Sequence, residues 1–131
     1  MLEIQVKTNS RSEFIDITSN IQKILDDNHL ENGLIFLHVP HTTAGITVNE
    51  HADPSVVVDI KNALEKQIPW SSNYLHNEGN SAAHIKCSMI NCSVAVAFEK
   101  GKLMLGIWQG IFFAEFDGPR VRKVWVKILK D

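Results

Sequence analysis

Residues 2–7 alternate, with Leu2, Ile4 and Val6 on one side and Glu3, Gln5 and Lys7 on the other, the period-two signature of a half-buried strand. The polar turn Thr8-Asn9-Ser10-Arg11-Ser12 separates it from a second strand over 13–18 with Ile15 and Ile17 inward, and a hairpin is the natural pairing. Ser19 then opens a helix. Ser19 and Gln22 have capping-box spacing, in which each side chain satisfies a free backbone N–H, and Ile21, Ile24 and Leu25 form the apolar stripe. Asn32-Gly33 ends it, because glycine takes the left-handed cap conformation without a Cβ clash. Residues 34–39 are short and nearly all apolar, which suits a strand covered on both faces. Pro40 interrupts, and 44–49 read as another strand.

Asp53-Pro54 starts a second helix: the aspartate caps free N–H groups, and proline in the first turn loses no hydrogen bond. Val57, Ile60, Leu64 and Ile68 keep helical spacing until Pro69 disfavours a helical Ile68. Asn80 or Ser81 caps a short helix over 81–90 that would put Asn80, His84 and Ser88 on one face, although the alternation Ile85, Cys87, Met89 suits a strand equally. Strands follow at 93–98 and, after a Lys100-Gly101 turn, over 102–116, bent at Gly106 or Gly110. Residues 111–114 are apolar on both faces, so one face should meet the core and the other a second layer or another subunit. After the turn Asp117-Gly118-Pro119, the last strand (121–129) points Val124, Val126 and Ile128 inward. Helices and strands do not alternate regularly, which argues against a doubly wound parallel fold.

Composition narrows the class. A chain of 131 residues is enough for one domain, and 44% apolar with 21% charged residues is the profile of a soluble globular protein. No apolar run approaches the roughly 20 residues of a membrane helix, and the N-terminal stretch lacks a secretory pattern, so a cytoplasmic protein is expected. A net charge of -2 argues against a nucleic-acid binder. The one basic cluster, Arg120, Arg122, Lys123, Lys127 and Lys130, is interleaved with apolar residues and reads as a solvated strand face. Cys87 and Cys92 do not have the C-x-x-C spacing and read as reduced, small hydrophobic residues.

Five of the six histidines lie in two polar stretches, His38 to His51 and Tyr74 to Ser88, and the expectation is that the fold brings these together into one site. His38 reads as a hydrogen-bonded core or interface histidine. His41-Thr42-Thr43 sits at a strand end, where hydroxyls and backbone N–H groups would hold phosphate oxygens and His41 would act as acid, base or metal ligand; an exposed turn capped by threonines is the plainer alternative. In Asn49-Glu50-His51, Glu50 would orient a histidine or bind a cation, or simply belong to the polar residues that gather at a helix start. The spacings of His76, Glu78 and His84 match no standard zinc signature. With His41 they would still offer three nitrogen ligands around one open position, or donate protons without a metal. Lys86 is either a point charge for a phosphate or a surface lysine. Trp108 reads as core, whereas Gln109, flanked by apolar strand, needs a partner if buried, and a substrate or subunit would serve.

Taken together, HTTAGITVNEHADP, Tyr74-x-His76, EGNSAAHIKCS and GKLMLGIWQGIFFAEFDGPR resemble the YjbQ family, also called the secondary thiamine-phosphate synthase family, over essentially the whole chain. The resemblance implies an α+β fold, a mixed or antiparallel β-sandwich flanked by two to three helices, assembled as a homotrimer. It implies histidine-containing pockets near subunit boundaries that bind anions or a divalent metal, zinc or magnesium. The implied activity joins a pyrimidinylmethyl diphosphate to a thiazole phosphate, as a secondary activity, so the partner is a small phosphorylated metabolite. A metal-assisted phosphate-ester hydrolase and a non-catalytic trimeric metabolite- or metal-binding module are the rivals. Position by position, the matching site residues are His41, Thr42, Thr43, Asn49, Glu50, His76, Glu78, Asn80, His84, Lys86 and Gln109. His41, His84 and Glu78 are the expected catalytic groups, and His41, His76 and His84 the expected metal ligands. The chain departs from the pattern at Asn91, Ala97 and Ile107, and at Ala82 and Ala83, where some members carry an acid shortly before the His84 position.

Overall fold

In the computed structural model, which describes residues 1–131, the chain forms eight strands and three helices. The N-terminal alternation becomes β1 (Leu2–Lys7) and the C-terminal one β8 (Val121–Lys130), paired antiparallel from Leu2↔Val126 to Lys7↔Val121. β3 (Gly33–His38) takes the other edge of β8, and β5 (Ser93–Glu99) and the two-residue β6 (Lys102–Leu103) complete a sheet ordered β1-β8-β3-β5-β6. A second antiparallel sheet, β2-β7-β4, is built from β2 (Glu13–Asp16), β7 (Gln109–Glu115) and β4 (Ala44–Glu50).

The expected hairpin between the first two strands does not form, because β1 and β2 belong to different sheets. The intervening turn is not a free loop: Thr8 and Ser12 are buried, and their hydroxyls donate to Glu115 and Glu65. The long strand expected over 102–116 breaks around Gly106, whose carbonyl accepts from Gln109 N–H at 3.0 Å.

The sheets face each other across one apolar layer. Ile35, Leu37, Val96, Phe98, Val124 and Val126 come from the larger sheet and Ile46, Ile111 and Phe113 from the smaller, each burial of this kind contributing roughly 1.5–3 kcal/mol. α1 (Thr18–Asp27) adds Ile21 and Leu25 to this core. Its start is set by Asp16, whose carboxylate accepts from the Thr18 N–H and hydroxyl at 2.9 and 2.6 Å. The Ser19–Gln22 capping box is not made; Gln22 instead donates to Gly101 O and accepts from Leu103 N–H, tying the helix to β6. The helix also ends earlier than Asn32-Gly33, with His29 in the left-handed region at φ 51°.

α2 (Pro54–Gln67) begins as expected, Asp53 accepting from Ser55 N–H at 2.9 Å ahead of Pro54. α2 packs against β2 and β4, and α3 (Ser81–Met89) against β4, so these two helices cover the smaller sheet. Ala83, Ala114 and Phe116, with Leu64 and Trp70 against them, form that second contact layer. No helix covers the outer face of the larger sheet. β3 is therefore buried on one face only: Ile35 and Leu37 point inward, while Phe36 stays 38% exposed, which corrects the expectation of a strand covered on both sides.

Candidate functional site

The site lies where the ends of β3, β7 and β8 meet the N-terminus of α3. Pro40 takes the chain out of β3, and His41 turns back against β8, where its Nε2 accepts from Lys123 N–H at 2.9 Å. That backbone donor fixes the tautomer: a neutral His41 carries its proton on Nδ1. Burial, followed by the nearby Arg122 guanidinium and the charges of Arg120 and Lys123, holds the imidazole below its ordinary range and so keeps it neutral.

Behind His41 is a buried ion pair. Arg122, 3% exposed, donates from Nε and Nη2 to the Glu115 carboxylate, and from Nη2 to Thr43 Oγ1 at 2.8 Å. Glu115 also accepts from the Thr8 hydroxyl and from the N–H groups of Phe116 and Asp117. Burial pushes the Glu115 carboxyl up, but Arg122 and these donors outweigh it and hold the group below its ordinary range. Arg122 Nη1 remains as the free edge of the guanidinium. Next to this pair, Arg120 donates to Asp117 Oδ2 at 3.1 Å and to Asp117 O at 2.9 Å, and Asn80 Nδ2 donates to the same Oδ2 at 2.9 Å.

These groups line a cavity of about 490 Å³ bounded by Pro40, His41, Thr42, Thr43, His76, Glu78, Asn80, His84, Asp117, Arg120 and Arg122. His76 and His84 meet edge to face, with ring centroids 5.4 Å apart, and Glu78 approaches His76 Nε2 at 4.0 Å. The two histidines also border a second groove of about 710 Å³ that adds Tyr74, Leu75 and Ile85. One side of the histidine pair is thus polar, with Arg120 and Arg122 beside the carboxylates of Glu78 and Asp117, and the other is more apolar.

The fold brings seven of the expected residues together here: His41, Thr42, Thr43, His76, Glu78, Asn80 and His84. Others go elsewhere. Lys86 is 1% exposed and donates to Glu65 of α2 at 3.0 Å, because its position on α3 faces the helix pair; it is a structural ion-pair partner and not a free charge for phosphate. Asn49 and Glu50 lie at the far end of β4, roughly 20 Å along the strand from Ala44. There the Asn49 side-chain oxygen Oδ1 accepts from Glu50 N–H, and the Glu50 carboxylate accepts from Ala52 and Asp53 N–H ahead of α2. Gln109 accepts from Gly106 N–H and lines a different cavity of about 620 Å³ with His51, Asp16 and Thr18. Trp108, expected in the core, is exposed. Ala82 and Ala83 are fully buried and offer the site no side chain.

The expected three-histidine metal centre does not fit this arrangement. No three histidine, cysteine, aspartate or glutamate side chains converge at ligand distance. The Nε2 lone pair of His41 is committed to a backbone N–H, the half-buried Asp117 carboxylate is committed to Arg120 and Asn80, and the buried Glu115 is committed to Arg122.

The solvated-face reading of the basic cluster fails for Arg122, which is 3% exposed and paired with Glu115, and Arg120, Arg122 and Asp117 were not among the expected site residues. A signal was present for Arg122: it shares strand parity with Val124 and Val126 and so had to point inward, where a cation needs an anion.

The family profile described as "UPF0047 protein YjbQ-like" matches residues 2–131. UPF0047 protein MJ1081 of Methanocaldococcus jannaschii is 52% identical over 131 residues, covering 100% of this chain and 95% of that protein. UPF0047 protein YugU of Bacillus subtilis is 45% identical, with 96% of each chain covered. A crystal structure of an uncharacterized conserved YjbQ/UPF0047 protein from Clostridium acetobutylicum superposes with a TM-score of 0.94 at 50% identity, covering 98% of this chain and 100% of that one. The chain belongs to the YjbQ-like UPF0047 family.

Proposed function

We propose that the cavity between His41, Arg122 and α3 is an oxyanion site serving a thiamine-phosphate synthase-like transfer, a secondary activity that joins a pyrimidinylmethyl diphosphate to a thiazole phosphate. The observation that carries the reading is the donor wall made by Arg120, Arg122 and a neutral His41 beside a groove lined by Tyr74, Leu75 and Ile85. Phosphate oxygens suit the first and a heteroaromatic ring the second. In the transfer, the thiazole nitrogen lone pair forms a bond to the pyrimidine methylene carbon as the bond from that carbon to the diphosphate oxygen breaks. The bonding pair leaves with diphosphate. Arg122 Nη1, Arg120 and His41 Nδ1–H are donors matched to that growing charge, and preorganised donors of this kind are the largest single contribution in such reactions. His76 and His84, shared by both spaces, would hold the two substrates in register.

The reading extends to a homotrimer in the cytoplasm. The bare outer face of the larger sheet supports the first, and two free thiols with no helix long and apolar enough to cross a membrane support the second.

The test is thiamine phosphate formation from both substrates, with and without EDTA, beside His84→Ala. Turnover should fall at least about 100-fold in folded His84→Ala and should survive EDTA. No product from well-folded protein rules the transferase out. Zinc- or manganese-dependent phosphate release from generic esters would point to a metal-assisted hydrolase instead. A binding module without turnover is the second reading. It is favoured by the mutual neutralisation of Arg122 with Glu115 and of Arg120 with Asp117, which leaves no buried unpaired base.

A further inference from the structure

Between β6 and β7 the chain makes a tight turn from Gly106 to Gln109. Gln109 closes it twice: its N–H donates to Gly106 O at 3.0 Å, and its Oε1 accepts from Gly106 N–H at 2.8 Å. The corners of such turns usually hold glycine, proline, asparagine or aspartate. Here they hold Ile107 and Trp108, 83% and 59% exposed, with the exposed Met104 just before them. The turn is already pinned, so the two side chains form a stiff apolar knob that loses little freedom on docking.

A matching hollow lies elsewhere on the chain. Leu75, 97% exposed, stands at the groove of about 710 Å³ that Tyr74, His76, His84 and Ile85 also line. Met89, one helical turn beyond Ile85 on α3, is exposed as well and lengthens the apolar stripe. The knob cannot fill the groove of its own chain. α3 is tied to the start of β4, where Cys87 Sγ donates to Ala44 O at 3.2 Å, whereas Trp108 O accepts from His51 N–H just past the end of that strand. The strand between them spans roughly 20 Å.

We propose that the Ile107–Trp108 turn of one copy of this chain seats in the Tyr74–Leu75–Ile85 groove of the next. The inference rests on the homotrimer reading above: a head-to-tail contact of this kind closes a ring when the rotation between copies returns to the first. The area suffices. Met104, Ile107 and Trp108 on the knob side, with Leu75, Ile85 and Met89 on the groove side, expose roughly 800 Å² of side chain between them. With apolar atoms making up about 57% of a typical contact, that corresponds to an interface of about 1,400 Å², within the range of specific ones. Docking would set an indole beside His76 and His84 and so supply a wall that one chain lacks. The groove is far larger than one indole, which leaves room for a substrate ring against it.

A photo-reactive benzoylphenylalanine at position 107 of the full chain tests this. Irradiation should give a band of about twice the 14.7 kDa chain mass on a denaturing gel. Trypsin should then release peptide 103–120 joined to peptide 67–86, which contains the whole groove. Adding Leu75→Lys, at a side chain too exposed to disturb the fold, should cut the yield about 10-fold or more, because the knob would have to bury an ammonium. Light scattering on the unirradiated sample separates the failures. An oligomer that cross-links through another peptide, or not at all, overturns the knob-in-groove contact and leaves the trimer standing, as does a yield unmoved by Leu75→Lys. A monomer at every concentration removes the trimer and this contact with it.

Discussion

Arg122 is held on three sides by Glu115 and Thr43, and it is both the floor of the cavity and a strut between β7, β8 and the turn after β3. Removing one member of a buried pair costs more than the pair contributes, because the survivor stays desolvated without its counter-charge. Arg122→Leu should therefore lose about 3–5 kcal/mol near neutral pH in a urea melt. The pH dependence follows from Glu115, whose carboxyl is lowered in the folded chain, chiefly by Arg122 against the opposing pull of burial. A lowered acid contributes stability above its unfolded value, and that contribution is lost as pH falls through the folded one. In Arg122→Leu the carboxyl rises toward protonation, so the gap between the two proteins should narrow on acidification. A gap that stays constant down the acid limb would mean that Glu115 is not the group being stabilised. That His41, Thr43, Asn80 and His84 would lie near one another was legible because strand ends and helix starts can be read locally, and the four line one cavity. Sequence reading misplaced Lys86 because only the packing of α3 on α2 brings Glu65 within reach of that lysine.

At the scale of elements, β4 and β7 run side by side from Ala44↔Glu115 to Glu50↔Gln109, and the end opposite the proposed oxyanion cavity has its own clasp. His51 Nδ1 lies 2.8 Å from Asp16 Oδ2, which also sets the start of α1, and the ring rests on Gly110. A Cβ at Gly110 would fall 2.3 Å from that Nδ1 and 2.5 Å from Cγ, so the glycine is needed for close approach. Gly110→Ala should cost about 1–3 kcal/mol by overpacking, read by urea unfolding, while leaving phosphate affinity unchanged because the cavity is at the other end of the strands. An alanine protein of full stability would show that the His51 clasp is dispensable. Weakened phosphate binding would show that the two ends are coupled. Element types were legible from periodicity for β1, β8 and α2. Pairing was not: alternation tells which face of a strand is buried but not which strand lies beside it, so β1 and β2 read as a hairpin although Thr8 and Ser12 lead the chain from one sheet to the other.

Across the whole molecule, the two faces of the sandwich are treated unequally. α2 and α3 cover the smaller sheet, whereas the larger leaves Phe36, Trp125 and Leu129 toward solvent, with Trp125 stacked near His38 at 5.9 Å and donating to Glu3. On this face the apolar side chains alternate with lysines, Lys127 lying opposite Phe36 and between Trp125 and Leu129, a mixed composition of the kind found at polar subunit contacts. The proposed homotrimer would bury it. Light scattering on the eluted peak should then give about three times the 14.7 kDa chain mass. The double variant Phe36→Lys with Trp125→Arg should shift this toward one chain mass with unchanged far-ultraviolet circular dichroism, since both side chains point away from the core. A monomer in the unsubstituted protein at every concentration would sink the trimer. A trimer that survives the double variant would move the contact to another surface, with the exposed Ile107 and Trp108 beside the His51 cavity as the next place to probe. Measuring phosphate affinity on the dissociated form separates the two scales: the cavity is built from one chain's β3, β7, β8 and α3 ends, so oxyanion binding should persist in the monomer even where turnover, which needs both substrates enclosed, is lost.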